Sequence, residues 1–178
     1  MMKEAGFDLI RGSHYPHAPA FSKACDEEGM LFWSEAPFWG IGGFQPDGYW
    51  NASAYPASEK DYKGFEESAL QQLKEMIRIH RNHPSIVTWS MCNEAFFSTP
   101  EAIPGVRHLL ERMVKLSRQL DPTRPAAIGG AQRPLGKDRI DLIGDIAGYN
   151  GDGATLSDFQ QPAIPSVISE SVSYTHLT

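Results

Sequence analysis

Two carboxylates each close an apolar, strand-like run. Glu94 follows Ile86-Val87-Thr88-Trp89-Ser90-Met91-Cys92-Asn93, and Glu170 follows Ser166-Val167-Ile168-Ser169. A charge at the end of a buried run is costly to desolvate unless a site needs it. In parallel α/β sheets and barrels, the C-terminal strand ends form the face where chemistry is done. If both runs are parallel neighbours in one barrel, both carboxylates point into the same mouth. Such a pair can do general acid/base work, nucleophilic work or metal binding. Cleavage of a glycosidic bond needs one carboxyl group protonated, to help the leaving oxygen depart. It needs the other ionised, to attack or to activate water. In the plainer alternative, Asn93 caps a following helix and Glu94 sits in its first turn.

The elements that must position this pair follow the period rules. Met1 to Gly6 reads as a helix tail stopped by Gly6, and Phe7 to Arg11 as a short strand. A polar, aromatic loop, Gly12 to Pro19, leads to a helix from Ala20 to Gly29. Met30 to Glu35 is a second strand that also ends in a carboxylate. Ala36 to Lys60 is a long loop rich in Gly, Pro and aromatics, among them Trp39, Phe44, Tyr49, Trp50 and Tyr55. Loops of that length are functional or disordered, and the aromatic density favours order. Asp61 to His80 is a helix with Phe65, Ala69, Leu73, Met76, Ile77 and His80 on one face. Pro100 to Leu120 is another, with Val106, Leu109, Leu110, Met113, Val114, Leu116 and Leu120 on a broad apolar face. After the turn Asp121 to Pro125, strands follow at Ala126 to Gly129, within Leu142 to Tyr149, and at Ser166 to Glu170. Strands alternating with helices, three of them closed by an acid, predict parallel β/α units.

Composition narrows the classes. The chain has 178 residues, 41% hydrophobic and 11% aromatic, enough for one sizeable core and one domain. Its formal net charge is -6 with no basic run or stripe, which argues against a nucleic-acid partner. No apolar run is long enough to span a membrane, and the N-terminus lacks the apolar core of a signal peptide. Cys25 and Cys92 make no disulfide framework and read as small buried thiols. Cys92 borders the proposed site, but its sequence neighbours supply no histidine or lysine to activate it. His80 and His83 read as a helix-end and a turn histidine rather than metal ligands. Asn150-Gly151-Asp152-Gly153 hints at a calcium loop but lacks the later ligands and the closing glutamate.

The motifs carry a resemblance. His83-Pro84-Ser85-Ile86 through Asn93-Glu94 resembles the acid/base signature of glycoside hydrolase family 2, which holds β-galactosidases, β-glucuronidases and β-mannosidases. Arg11-Gly12-Ser13-His14-Tyr15-Pro16 is similar to the substrate-site loop after that family's second barrel strand. Cys25 to Gly29 with Ser34-Glu35, Leu120 to Pro125, Gly148-Tyr149-Asn150 and Pro165 to Glu170 follow in family order over nearly the whole chain. The resemblance implies an incomplete (β/α)8 TIM barrel, about strands 2 to 7, over residues 1–171. It implies hydrolysis of a terminal β-glycosidic bond by a retaining double displacement. Glu94 would be the acid/base and Glu170 the nucleophile that forms a glycosyl-enzyme. Asn93 would bind the sugar 2-hydroxyl and His14 the sugar. Tyr149 would orient Glu170, and Arg11 would lie beneath the site, its positive charge keeping Glu170 ionised. Glu35 and Trp39 read as substrate-site support and a sugar platform, with Trp50 a second platform. Each has a plainer alternative: a structural ion pair for Arg11, core packing for Tyr149, Trp39 and Trp50. The partner is a carbohydrate, with no cofactor and no metal, and the resemblance implies accessory β-sandwich domains outside this chain. The compartment stays open.

The chain departs from the family in places. Glu35 precedes Ala36-Pro37-Phe38-Trp39, not the Glu-Thr-His-containing loop of the best-known β-galactosidases. The Asn-x-Lys pattern that marks β-glucuronidases does not follow Glu94, and Ser171-Val172 stand where an aromatic and a glycine are usual. A β-galactoside-like substrate leads, with β-mannosidase or β-glucuronidase activity as alternatives. From other classes come a non-catalytic carbohydrate-binding module and a metal-dependent hydrolase using Glu35, His14 and Glu170. Residues 172–178 read as a non-native, adapter-derived tail. Because a complete barrel takes about 250 residues, the chain is expected to be a fragment, marginally stable and inactive alone.

Overall fold

The apolar runs become six parallel strands of one sheet: β1 (Leu9–Gly12), β2 (Leu31–Glu35), β3 (Ile86–Asn93), β4 (Ala126–Gly129), β5 (Ile146–Asn150) and β6 (Ser166–Glu170). Their spatial order is their sequence order, and every neighbouring pair is parallel. The structure, a computed structural model, describes residues 2–39, 53–56, 58–151 and 164–170. Helices α1 (Pro19–Glu28), α2 (Glu59–His80) and α3 (Ile103–Leu120) follow β1, β2 and β3. This is the winding of a (β/α)8 barrel, and six strands make it an incomplete one.

Each helix forms where the sequence supplies both a face and ends. Proline opens α1 at its first turn, and Gly29, at φ 65, closes it in the left-handed region. Ala69, Leu73, Met76 and Ile77 of α2 are buried, with Glu59 and Asp61 at its positive end and Arg78 and His80 at its negative end. Val106, Leu109, Leu110, Met113 and Val114 of α3 are fully buried. The core lies between these faces and the outward side of the sheet, where Phe32, Ile86, Trp89 and Met91 are almost completely enclosed. No helix among the described residues is long and apolar enough to cross a membrane.

Asp121 fastens the turn before β4. It accepts from Trp89 Nε1 at 3.0 Å, from the Thr123 amide at 3.1 Å and from Arg124 at 2.7 Å. Burial alone would raise its pKa, but the bonds from Thr123, Arg124 and Trp89 outweigh it and hold the group down to about 2. Arg124 in turn donates to the carbonyls of Ile86, Arg81 and His83. His80 bonds Ser22 at 3.0 Å and His83 bonds Asp26 at 2.6 Å. These two histidines therefore tie the end of α2 to α1.

Several expectations need correction. Residues 2–6 form a hydrogen-bonded turn, not a helix tail, with Gly6 at φ 86. Five residues are too few to repay helix nucleation. Strand β1 begins at Leu9 rather than Phe7, and β5 lies within the segment expected to hold it except that it runs one residue further, to Asn150. Helix α3 is preceded by a 3-10 turn, Pro100–Ala102. In the long loop, Phe38, Ala54 and Tyr55 are core residues. Phe44, Tyr49, Trp50 and residues 171–178 lie outside the described residues.

Candidate active site

Arg11, next to last on β1, organises the C-terminal strand ends. Its guanidinium meets Glu35 at the end of β2 in a forked pair, with Nη2 2.8 Å from Oε2 and Nε 3.1 Å away. Glu35 is 0% exposed, and it is otherwise surrounded by donors. Trp33 Nε1 (3.3 Å) and Ser90 Oγ (2.9 Å) donate to Oε2, and His14 Nδ1 lies 2.8 Å from Oε1. A carboxylate only accepts, so His14 carries its proton on Nδ1. Gly129 makes room for this pair: a Cβ there would stand 2.8 Å from Glu35 Oε2 and 3.0 Å from Arg11 Nη2.

The same guanidinium reaches the far edge of the sheet. Nη1 lies 3.2 Å from Glu170 Oε2 and 3.2 Å from the Ser169 carbonyl. In a flat sheet, β1 and β6 would be five spacings of about 4.8 Å apart. A 3.2 Å contact between them requires the sheet to curl into a barrel-like arc. Strands β3 and β6 are not neighbours, the condition under which the sequence put both carboxylates in one mouth; β4 and β5 lie between them, and curvature brings their ends together. Asn150, at the end of β5, spans the gap. Its Nδ2 donates to Asn93 Oδ1 at 2.9 Å and to Glu170 Oε2 at 3.1 Å. Asn93 Oδ1 also accepts from Arg11 Nη2 at 2.8 Å. Asn93 thus serves the mouth of the sheet rather than capping a helix.

Glu94 leaves β3 at φ 46, a left-handed conformation that a non-glycine residue adopts at a cost. Strain of this kind clusters at sites where a side chain must be aimed. Gly130 permits the turn, because a Cβ there would lie 2.5 Å from Glu94 Cγ and 2.7 Å from its backbone nitrogen. Gln132 donates from Nε2 to Glu94 Oε1 at 3.2 Å and accepts the Asn150 amide on Oε1 at 3.1 Å. The second bond fixes the amide's orientation, since only its NH2 can face Glu94. Both carboxylates end up alike. Glu94 Oε1 is held by Gln132, Glu170 Oε2 is held by Arg11 and Asn150, and the other oxygen of each has no hydrogen bond among the described residues.

The structure therefore gathers Arg11, His14, Glu35, Asn93 and Glu170 into one network, with Glu94 linked to it through Gln132. Exposed Trp39 stacks on His14, ring centroids 5.3 Å apart and planes 18° from parallel. Tyr149, expected to orient Glu170, is placed with its hydroxyl beside Asp141. Its buried hydroxyl donates to Asp141 at 3.2 Å. Burial and then the Asp141 charge push its pKa up to about 12. Successive strand residues face opposite sides, so the residue turned toward Glu170 is the next one, Asn150. Cys92 is fully enclosed, and burial together with Glu35 drives its thiol pKa far up, which leaves no thiolate for nucleophilic work. Asn150, Gln132, Ser90 and the Gly129-Gly130 pair carried no site role in the sequence reading. The available signal was the double glycine closing an apolar strand, which marks a close backbone approach.

The chain matches the family model described as "Glycosyl hydrolases family 2, TIM barrel domain" over residues 1–147. It is 36% identical over 132 residues to a β-glucuronidase of Bacteroides fragilis, covering 74% of this chain and 17% of that protein. It is 33% identical over 138 residues to a β-glucuronidase of Paenibacillus borealis, covering 76% of this chain and 21% of the relative. Among solved structures it resembles Bacteroides uniformis β-glucuronidase 2 covalently bound to cyclophellitol-6-carboxylate aziridine. That match has a TM-score of 0.73 and 27% identity, over 96% of this chain and 21% of the other. The chain thus spans about a fifth of the length of these relatives. By the extent of the family match and by its fold, the chain belongs to glycosyl hydrolase family 2, as part of the family's TIM-barrel domain.

Proposed function

We propose that this chain carries both catalytic carboxylates of a β-glycosidase acting by double displacement. The observation that carries the reading is that Arg11 and Asn150 tie one oxygen of Glu170 and leave the other without a hydrogen bond among the described residues. In this reading Glu170 Oε1 attacks the anomeric carbon while Glu94 gives its proton to the departing oxygen. Glu94 then takes a proton from the water that displaces Glu170, and both groups return to their starting states. Asn93, whose Oδ1 is occupied by Arg11 and Asn150, offers its NH2 to the sugar 2-hydroxyl. His14 and Trp39 form the wall on which the sugar rests.

For the sugar, the β-galactoside expectation gives way to a β-glucuronide, because the relatives named above are β-glucuronidases. The absent Asn-x-Lys pattern has no weight in a chain that spans a fifth of their length. The covalent adduct on the Bacteroides uniformis enzyme also favours retention, since an aziridine is opened by a nucleophile. The test is a chimera in which residues 1–170 replace the matching segment of Bacteroides uniformis β-glucuronidase 2, whose match covers 96% of this chain. It is expected to cleave an aryl β-glucuronide, to prefer it over the β-galactoside, and to yield an aziridine-labelled peptide containing Glu170. A folded chimera labelled elsewhere sinks the assignment.

Gln132 enters this mechanism as a positioning residue. By occupying Glu94 Oε1, it leaves Oε2 to carry the proton. Gln132→Met is expected to lower kcat/KM by roughly 10-fold on alkyl glycosides, less than the roughly 10²–10⁴-fold that general acid catalysis contributes, because Glu94 itself stays in place. Activated aryl glycosides, which need little protonation, are expected to lose far less. An equal loss on both, read from steady-state kinetics of the chimera, leaves Gln132 a merely structural part.

A further inference from the structure

The long loop between β2 and α2 has entered the mechanism only through Trp39, yet both of its described ends are bonded to the segment that carries Glu94. At the near end, the Ala36 amide donates to the Ser90 carbonyl at 2.9 Å, and the Phe38 carbonyl accepts the Asn93 amide at 3.1 Å. At the far end, the Ala54 amide donates to the Phe97 carbonyl at 2.6 Å. Phe97 in turn closes a tight turn on Glu94, its amide donating to the Glu94 carbonyl at 3.0 Å. We infer that the two ends of this loop brace the acid/base, and that Tyr55 is a positioning residue that seats the brace between α2 and α3. The inference rests on the assignment of Glu94 as acid/base.

Glu94 needs a brace because a non-glycine residue holds a φ of 46 only when its surroundings impose it. On one side the Gly129 carbonyl accepts the Glu94 amide at 3.2 Å. On the other, the Glu94 carbonyl is held by Phe97, and Phe97 by Ala54. What fixes Ala54 is the next residue. Tyr55 is 1% exposed, its ring centroid 4.8 Å from that of Tyr62 and 5.4 Å from that of Phe65, which it meets edge-on. Phe38 meets the same Phe65 ring edge-on at 5.5 Å, so one side chain of α2 seats both ends of the loop. The Tyr55 hydroxyl donates to Glu66 of α2 at 2.7 Å, and Glu66 pairs with Arg112 of α3. Burial, and then Glu66, hold the phenol proton on well beyond the ordinary tyrosine range, so this donor persists at any working pH. Gly105 of α3 leaves the space for the ring: a Cβ there would stand 2.9 Å from the hydroxyl oxygen and 3.0 Å from Cζ. A ring locked to two helices fixes the backbone amide beside it, and through that amide the turn that aims Glu94.

Two measurements test this, on Gly105→Ala and Tyr55→Leu. Alanine is a better helix former than glycine, so the first variant keeps α3 while its methyl displaces the Tyr55 ring, even if the second fails to fold. The first measurement uses the full 178-residue chain and needs no catalysis: amide hydrogen exchange read by mass spectrometry. Opening of residues 94–98 is expected to increase roughly fivefold in Gly105→Ala, while residues 109–114 of α3 keep their protection. Unchanged exchange at 94–98, or an equal rise at 109–114, overturns the brace. The second uses the chimera. Gly105→Ala is expected to lower kcat/KM on a methyl glycoside about 10-fold, a fraction of what general acid catalysis contributes, and on a nitrophenyl glycoside by about twofold at most. It is expected to cost nothing further where Glu94→Ala is already present. Equal losses on the two substrates, or a loss that persists beside Glu94→Ala, overturn the positioning role, because a general structural defect ignores the leaving group. Failure of the acid/base assignment shows separately, as full turnover of the methyl glycoside by Glu94→Ala with Gly105 in place.

Discussion

Replacing Glu170 with alanine in the chimera is expected to lower turnover by roughly 10⁴-fold or more, the scale of losing a covalent nucleophile. Glu94→Ala is expected to lose roughly 10²–10⁴-fold on poor leaving groups, the range for general acid catalysis, and much less on activated aryl glycosides. Azide separates the two roles by stereochemistry. Without Glu170, azide enters from the face that carboxylate occupied, so the glycosyl azide is inverted. Without Glu94, Glu170 still forms the glycosyl-enzyme and azide replaces water in the second step, so the product is retained. Nuclear magnetic resonance of the two azides reads the outcome. The same anomer from both variants, or full activity in either, sinks the double displacement written here. A crystal structure supplies an independent check, because the two carboxyl groups should stand about 5–5.5 Å apart for retention and about 6.5–9.5 Å for inversion.

A second large effect is expected on stability. Glu35 is fully enclosed and accepts from Arg11, Trp33, Ser90 and His14. Glu35→Ala strands the Trp33 and His14 donors, takes one of two acceptors from Ser90, and leaves the largely buried Arg11 guanidinium with Asn93, Ser169 and Glu170 but without its main partner. Breaking a buried pair from one side costs about 3–5 kcal/mol, a large share even of the 5–15 kcal/mol by which intact native proteins are stable. Urea unfolding should show a much lower midpoint, or no cooperative transition at all. The double variant Arg11→Met with Glu35→Leu removes both charges and should be less damaging than Glu35→Ala alone. A loss under about 1 kcal/mol for the single variant would place the pair with exposed ion pairs of little worth.

Much of this architecture was legible because period and punctuation agree. Helices α2 and α3 have buried faces at the positions their apolar spacing marks, and Gly29 stops α1 where a left-handed residue is needed. The ends of β2, β3 and β6 were legible because an acid after an apolar run breaks the expected pattern. Other features were hidden for physical reasons. Curvature is a property of the whole sheet, so no local pattern told that Arg11 on one edge meets Glu170 on the other. Gln132 sits in an irregular segment after β4, where no periodicity assigns a face. The roles of Tyr149 and Asn150 differ by one residue, and in a strand one residue decides which side is faced.

The Arg11 contacts also set an order of assembly. Arg11 meets Glu35 across 24 residues of chain but meets Glu170 across 159. Long closures are paid for in entropy before any contact rewards them, so short-range pairs form first. During synthesis Arg11 and Glu35 emerge together and can neutralise one another long before β6 exists. The guanidinium is then already oriented when Glu170 arrives, and the last strand docks onto a prepared anchor instead of having to bury a charge of its own.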